Sequence, residues 1–306
     1  MMRLKSYILL ADPAWLEVSV SSYYPVVNEI LARCDATGRG LTGVSISTDQ
    51  SKQILRAMDA EHKIRFSEGV FYRPDLPVGD RDTFQRNSAL IALGSDADWI
   101  LQIDTDEFVP DINVLLDALR FADEKGLCAV EWPMRVLYRR LRTGEYLEVC
   151  QKNGGDHYEY PGAVAVKPLT HLSEMRRTRK PFLRPIVEGD SLSLQIQRPP
   201  MEGECRDFRI SRESAIVHNS WAREPSSVWR KLRSWAHHDV KKLWIAYYLQ
   251  WLLSPLFWRT MVDFHPFARD LWRSLRVSDA KIPISRSYTG NVELKRSSED
   301  MGSAKQ

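Results

Sequence analysis

Three aspartate pairs spaced by one residue occur in this sequence: Asp80/Asp82, Asp96/Asp98 and Asp104/Asp106. With 22 aspartates in 306 residues, about 1.6 such triplets arise by chance, so spacing alone decides nothing. Position separates them. Asp80 and Asp82 fall in the loop-like stretch PDLPVGDRD, and Asp96 and Asp98 follow a helical segment ahead of Trp99. Both pairs read as solvated turn acids. Asp104 and Asp106 instead terminate the apolar run WILQI, with Glu107 beside them. On an extended chain, side chains two residues apart point to the same side. Two carboxylates so placed can share a hard divalent cation, Mg²⁺ or Mn²⁺, that keeps positions open for phosphate oxygens. Such an ion neutralises charge developing on a leaving diphosphate. Without compensation, three acids at the lip of a strand would repel one another.

The elements that must position this pair alternate. Residues 7–11 (YILLA), 30–34 (ILARC), 63–66 with 70–71, and 99–103 (WILQI) predict strands. Residues 12–24, opened by Asp12-Pro13, and residues 48–58, 83–93 and 111–125 predict helices, with a loop over 74–82. Alternation of this kind implies right-handed crossovers and a mostly parallel sheet of the α/β class. Ligands of such sheets sit beyond the carboxyl ends of the strands, where Asp12, Asp35 and Asp104 all fall. Residues 127–216 change to shorter strands and loops, and residues from 224 onward read as helical.

The run QRNSALIAL followed by DWILQIDTDEF resembles the GT-A fold glycosyltransferases, in particular bacterial members of glycosyltransferase family 2. The resemblance covers about residues 5–220 and is diffuse at the N-terminus, where LLADPAW replaces the family's usual opening. It implies a GT-A catalytic domain over 1–223, while the residues themselves read as a helical Trp-rich extension over 224–280 and a polar, disordered tail over 281–306. It implies metal binding by Asp104 and Asp106, with Asp106 the more direct ligand and His218 a further one. Ala11, Asp12 and Asp35 would line the nucleotide edge, and Arg86 would approach the diphosphate or donor sugar. The implied reaction is sugar transfer from a nucleotide-diphosphate donor to a hydroxyl of a glycan or lipid-linked acceptor, with inversion. That chemistry needs a general base, for which Asp190, Glu188 and Glu131 are the candidates. Glu131 sits in the apolar stretch VEWP, where burial would raise its pKa. The basic run RRTRKPFLR (176–184) reads either as an anion site or as a solvated face.

Seven of the ten tryptophans lie between Trp221 and Trp272. Trp229, Leu232, Trp235 and Ala236 are spaced as one helical face. Residues 243–258 (LWIAYYLQWLLSPLFW) carry no charge, yet Gln250, Ser254 and Pro255 interrupt a run already too short to span a bilayer. Lys241, Lys242 and Arg259 flank it, which suits peripheral contact with an anionic membrane, a packed helix or a dimer contact.

A net charge of +3 is too even for a protein that grips nucleic acid. Four cysteines form no metal-binding or disulfide pattern, and the first residues lack a signal-peptide core. A cytoplasmic enzyme, peripheral on the inner face of the cell membrane if 243–258 docks there, is the resulting expectation. A sugar-phosphate nucleotidyltransferase would open with a Gly-rich basic loop after the first strand, which LLADPAWLEV lacks. A non-catalytic membrane adaptor would tolerate loss of Asp106.

Overall fold

The computed structural model describes residues 2–234 and 240–283. Its first half runs β1 (Leu4–Leu9), α1 (Leu16–Ser21), β2 (Glu29–Asp35), α2 (Asp49–Met58), β3 (Ile64–Gly69), α3 (Val78–Leu93) and β4 (Trp99–Leu101). After β4 come β5 (Glu107–Phe108), α4 (Ile112–Glu124), β6 (Ala129–Glu131), β7 (Met134–Arg140), β8 (Tyr146–Cys150) and β9 (Ala163–Val166). Short pieces follow: β10 (Phe182–Leu183), β11 (Ile186–Val187), α5 (Leu194–Gln197), β12 (Glu204–Cys205), β13 (Arg209–Ile210) and β14 (Ile216–His218). The chain then forms α6 (Pro225–Ser234), α7 (Val240–Ile245), a π-helical stretch (Ala246–Trp251), α8 (Ser254–Phe257) and β15 (Ser274–Val277).

Eight strands make the central sheet in the order β12-β10-β6-β9-β4-β1-β2-β3. All its pairings are parallel except those of β9, which runs against both β4 and β6. The expected α/β class and mostly parallel sheet are therefore present. β1, β2 and β4 are buried on both faces, which is why they read as unbroken apolar runs. A second, five-stranded sheet has the order β15-β8-β7-β14-β5. Five residues after Gln102 the chain enters β5, which belongs to this second sheet and pairs antiparallel with β14, His218 opposite Glu107. The acidic turn thus lies where one sheet hands over to the other.

Several boundaries differ from expectation for local reasons. The helix after β1 is only α1, because Asp12 Oδ1 takes the Ala14 backbone N–H (3.0 Å) and Pro13 opens a turn rather than a helix. α3 begins at Val78, five residues before the expected start, with Pro77 in an extended conformation ahead of it. Asp80 and Asp82 are therefore helical rather than in a loop. Asp96 and Asp98 are exposed in the turn ahead of β4, as expected, and each also ties down the strand beside it. Asp96 binds the buried Lys5 ammonium (2.5 Å), and Asp98 accepts the Arg3 backbone N–H (2.6 Å), fastening the starts of β1 and β4. α4 begins as its sequence predicts, Asp111 Oδ1 accepting from the Asn113 (3.0 Å) and Val114 (3.3 Å) backbone N–H groups.

The C-terminal helices pack on β7, β8 and β15 through Trp221, Val228, Leu232, Leu243, Tyr247, Trp251 and Trp272. Trp251 donates its indole N–H to the Tyr138 carbonyl (3.0 Å) and lies under the Arg139 guanidinium (3.7 Å), so most of this tryptophan wealth is core. Strand β15 is a departure from the all-helical expectation for this segment. Trp235 and Ala236, and the tail from residue 284, lie outside the described residues. No described helix is long and apolar enough to cross a membrane.

Ion pairs inside the sheet region make a first prediction. The Glu204 side chain is buried and receives Arg184 (2.6 Å), Arg206 (2.6 Å), Arg198 (2.8 Å) and the Met201 N–H (2.8 Å). Burial pushes its pKa up, but these donors outweigh burial and hold it at about 2. Because the folded pKa is depressed, the carboxylate's contribution is complete above the ordinary value of 4.5 and is lost as pH falls from there toward 2. Thermal unfolding followed across that window should show a slope that Glu204→Gln flattens.

Candidate functional site

The site is built on the turn between β4 and β5. β4 stops at Leu101, and the Glu107 N–H bonds back to the Asp104 carbonyl (3.1 Å), closing residues 104–107 into a turn. The period-two reading of Asp104 and Asp106 fails there, since the chain is no longer extended. Each carboxylate has instead its own cations. Arg86, on the buried side of α3, donates both Nη groups to the two Asp104 oxygens (3.1 Å each) and its Nε to Asp82 (3.0 Å). Arg176 stands 3.8 Å from Asp104 and clamps the fully buried Glu107 with two bonds (2.6 and 2.8 Å). Glu107 in turn accepts the Asp104 backbone N–H (3.0 Å).

Asp106 faces the C-terminal segment. Its Oδ2 accepts from Arg223 and from Lys231 Nζ (3.1 Å), and His218 Nε2 lies 3.5 Å away. Arg223 also reaches Asp12 (2.8 Å), so one guanidinium joins the end of β1 to the β4–β5 turn. The Asp106 carbonyl takes the Asn219 N–H (2.8 Å), and the Asp104 carbonyl the Ser19 hydroxyl (2.9 Å).

Electrostatics follow from this geometry. Burial raises the Asp106 pKa, yet Lys231, Arg223 and His218 overcome it and hold the carboxyl well below its usual range. Asp104 is likewise lowered, against burial, by Arg86 and Arg176. Burial in turn lowers the Lys231 pKa, which Asp106 opposes. Glu159, which pairs across to Met134, feels His218 as well; burial pushes it up, but His157 and the Trp272 indole N–H (2.7 Å) bring it to about 2.

Asp106 and His218 supply an oxygen and an imidazole nitrogen of the kind Mn²⁺ accepts. His218 Nδ1 and Asn219 Oδ1 are buried atoms without a hydrogen-bond partner among the described residues. The structure as it stands offers these atoms with Arg223 and Lys231 already bonded to the Asp106 carboxylate. It does not fit the expected ion bridging Asp104 and Asp106, because Arg86 occupies both Asp104 oxygens. Among the described residues no three His, Cys, Asp or Glu side chains stand close enough to hold an ion.

The remaining sequence candidates are more dispersed. Asp35 spends its oxygens on the backbone N–H groups of Thr37 (2.7 Å), Phe71 (2.6 Å) and Tyr72 (2.9 Å). The Ala11 carbonyl accepts the Ser51 hydroxyl (3.3 Å). Glu131 is raised by burial, but it is bound to the buried Arg184 (2.5 Å), not left among apolar neighbours. Glu188 is exposed. Asp190 Oδ1 caps a turn at Leu192 and Ser193 (3.1 Å each), while its Oδ2 is buried and unpartnered among the described residues. No hydrogen bond or ion pair joins these three acids to the 104–107 turn among the described residues.

Arg176 and Arg184, the two ends of the basic run, are interior ion-pair partners, while Arg177, Arg179 and Lys180 between them are exposed, as on a solvated face. Sequence reading names none of Arg223, Lys231 and Glu159, and takes Asp82 only as a turn acid and Arg176 only as part of the basic run. Asp82 and Arg86 are at helical i,i+4 spacing and become readable once α3 is extended to Val78.

No family model and no curated protein matches the sequence. Among solved structures, 4-diphosphocytidyl-2C-methyl-D-erythritol synthase from Anaerococcus prevotii overlaps 55% of this chain and 70% of its own, at 13% identity and TM-score 0.32. Mannose-6-phosphate isomerase from Helicobacter pylori overlaps 55% and 61%, at 14% identity and TM-score 0.29. Mannose-1-phosphate geranyltransferase from Thermus thermophilus overlaps 56% and 51%, at 14% identity and TM-score 0.27. None of these overlaps is close enough to show a shared fold or activity.

Proposed function

We propose that the chain is a GT-A-type glycosyltransferase that binds a nucleotide-diphosphate sugar and passes the sugar to a hydroxyl of a glycan or lipid-linked acceptor. The observation that carries this reading is the convergence of Asp12, Asp104 and Asp106 with Arg86, Arg223 and Lys231 beyond the carboxyl ends of parallel strands β1 and β4. Mn²⁺ or Mg²⁺ would be held by Asp106 and His218 and would neutralise the leaving diphosphate. The protein's own part is an exchange of cations. A divalent charge at Asp106 would take the place of the Arg223 and Lys231 charges there, and those two side chains would turn toward the diphosphate oxygens. Ala11, Asp12 and Asp35 would edge the nucleotide. Of the base candidates, Asp190 has a buried carboxylate oxygen without a hydrogen-bond partner among the described residues.

The test is a thermal-shift panel of UDP-, GDP- and dTDP-sugars, with and without Mn²⁺. Stabilisation that needs both a nucleotide sugar and the ion supports the reading; at a free ligand concentration 100 times its Kd it amounts to about 2.7 kcal/mol. Stabilisation by a nucleoside triphosphate with a sugar phosphate, and by no nucleotide sugar, would replace it with nucleotidyl transfer. A flat panel would remove both.

A further inference from the structure

The chain from α7 to α8 is apolar on two sides. Leu243, Ala246, Tyr247, Trp251 and Ser254 face the second core. Trp244 (50% exposed), Ile245, Tyr248, Leu249 (53%), Leu253 and Leu256 (83%) face outward. The outward residues recur at three- and four-residue intervals, so they form one stripe rather than scattered exposures. A contiguous apolar stripe of this kind marks an interaction surface.

We propose that this stripe docks in the plane of an anionic lipid surface. Charge selects that occupant. No acidic residue lies between Val240 and Val262, while Lys242 and Arg259, both exposed, stand at the two ends of the stripe. Trp244 and Tyr248 supply rings suited to the headgroup level. The Arg259 guanidinium lies over the Trp258 ring (4.4 Å), pairing cation and aromatic at the stripe's end. A second copy fits less well, because a two-fold contact through a stripe ended by cations sets like charges against one another. The segment from α7 to α8 carries no charge between Lys242 and Arg259, and no described helix is long and apolar enough to span, a combination that suits a segment lying at the interface. The inference does not depend on the proposed sugar transfer. It also gives the Trp-rich extension a role, since Tyr247 donates to the Pro225 carbonyl (3.0 Å) and Trp251 to the Trp221 carbonyl (3.1 Å), on either side of Arg223.

Cosedimentation of the full chain with phosphatidylcholine vesicles, with and without phosphatidylglycerol, tests the proposal. The chain is expected to sediment with phosphatidylglycerol vesicles. Leu249→Glu with Leu256→Glu should cut that binding by about tenfold or more. Lys242→Ala with Arg259→Ala should reduce the preference for the anionic vesicles by about fivefold per charge removed. Leu249 and Leu256 are exposed, so the unfolding midpoint of their double variant should match the parent, and the midpoint of the Lys242/Arg259 variant is read alongside its binding. Failure to sediment with phosphatidylglycerol vesicles would overturn the proposal, as would binding that survives the two glutamates. Lipid-free self-association abolished by those glutamates would assign the stripe to a second copy. None of these readings uses a nucleotide sugar, so they stand apart from the donor panel.

Discussion

Asp106→Asn should abolish the Mn²⁺-dependent part of donor binding, an effect at least as large as the 10–100-fold (roughly) that follows loss of an outer-shell metal partner. Asparagine keeps the shape and removes the charge. In the parent, Asp106 is ionised at neutral pH, because Lys231, Arg223 and His218 hold its pKa down against burial. Its loss leaves Lys231 with the Ser220 carbonyl (3.0 Å) and hydroxyl, and Arg223 with Asp12 and the Asn219 carbonyl. A stability loss of about 3 kcal/mol accompanies the functional one, since a buried cation is left undercompensated. The two are separated by measuring donor affinity by calorimetry at a temperature where the variant is folded. Parent-like affinity in Mn²⁺ at that temperature would remove Asp106 from the site and leave it an anchor for the C-terminal segment.

The second large effect is on the fold. Glu107→Gln should destabilise the chain by about 3–5 kcal/mol, the range for removing one partner of a buried ion pair. Glu107 has no exposed side-chain surface, and Arg176 is 5% exposed, so water cannot repair the loss. Arg176 would then turn its charge on Asp104, already 3.8 Å away, and pull the turn out of shape. Replacing both partners by apolar residues, Glu107→Leu with Arg176→Met, should recover most of the stability, because no charge is left without a partner. Denaturant unfolding of the two singles and the double makes the cycle. Additive losses across it would show that the pair does not act as a unit.

Local pattern and long-range contact explain what the sequence disclosed. Residues 30–34 and 48–58 carry periodic apolar side chains and match β2 and α2 closely. Asp111 announces α4 by a side-chain cap that needs only its next three residues. The start of α3 was hidden because Pro77 and Gly79 carry loop propensity, while the buried Arg81, Gln85 and Arg86 that hold the helix are polar. At the site, the acids were legible as a cluster at a strand's end. Their orientation was not, since it depends on a turn that a backbone bond from Glu107 to Asp104 closes. The cations were hidden for a plainer reason: Arg176, Arg223 and Lys231 reach the turn across 69, 117 and 125 residues of chain. No window of local sequence records such meetings.

Arg223 and Lys231 bear on where this protein can be shortened. Sequence places a natural cut near residue 223, ahead of the helices, and a fragment ending there retains every strand of the central sheet. Such a fragment would nonetheless strip Lys231 from Asp106, and trimming a few residues further would take Arg223 too. The tryptophan-rich extension is therefore no removable appendage but half of the wall around the acidic turn, and a minimal fragment has to run through α6 at least.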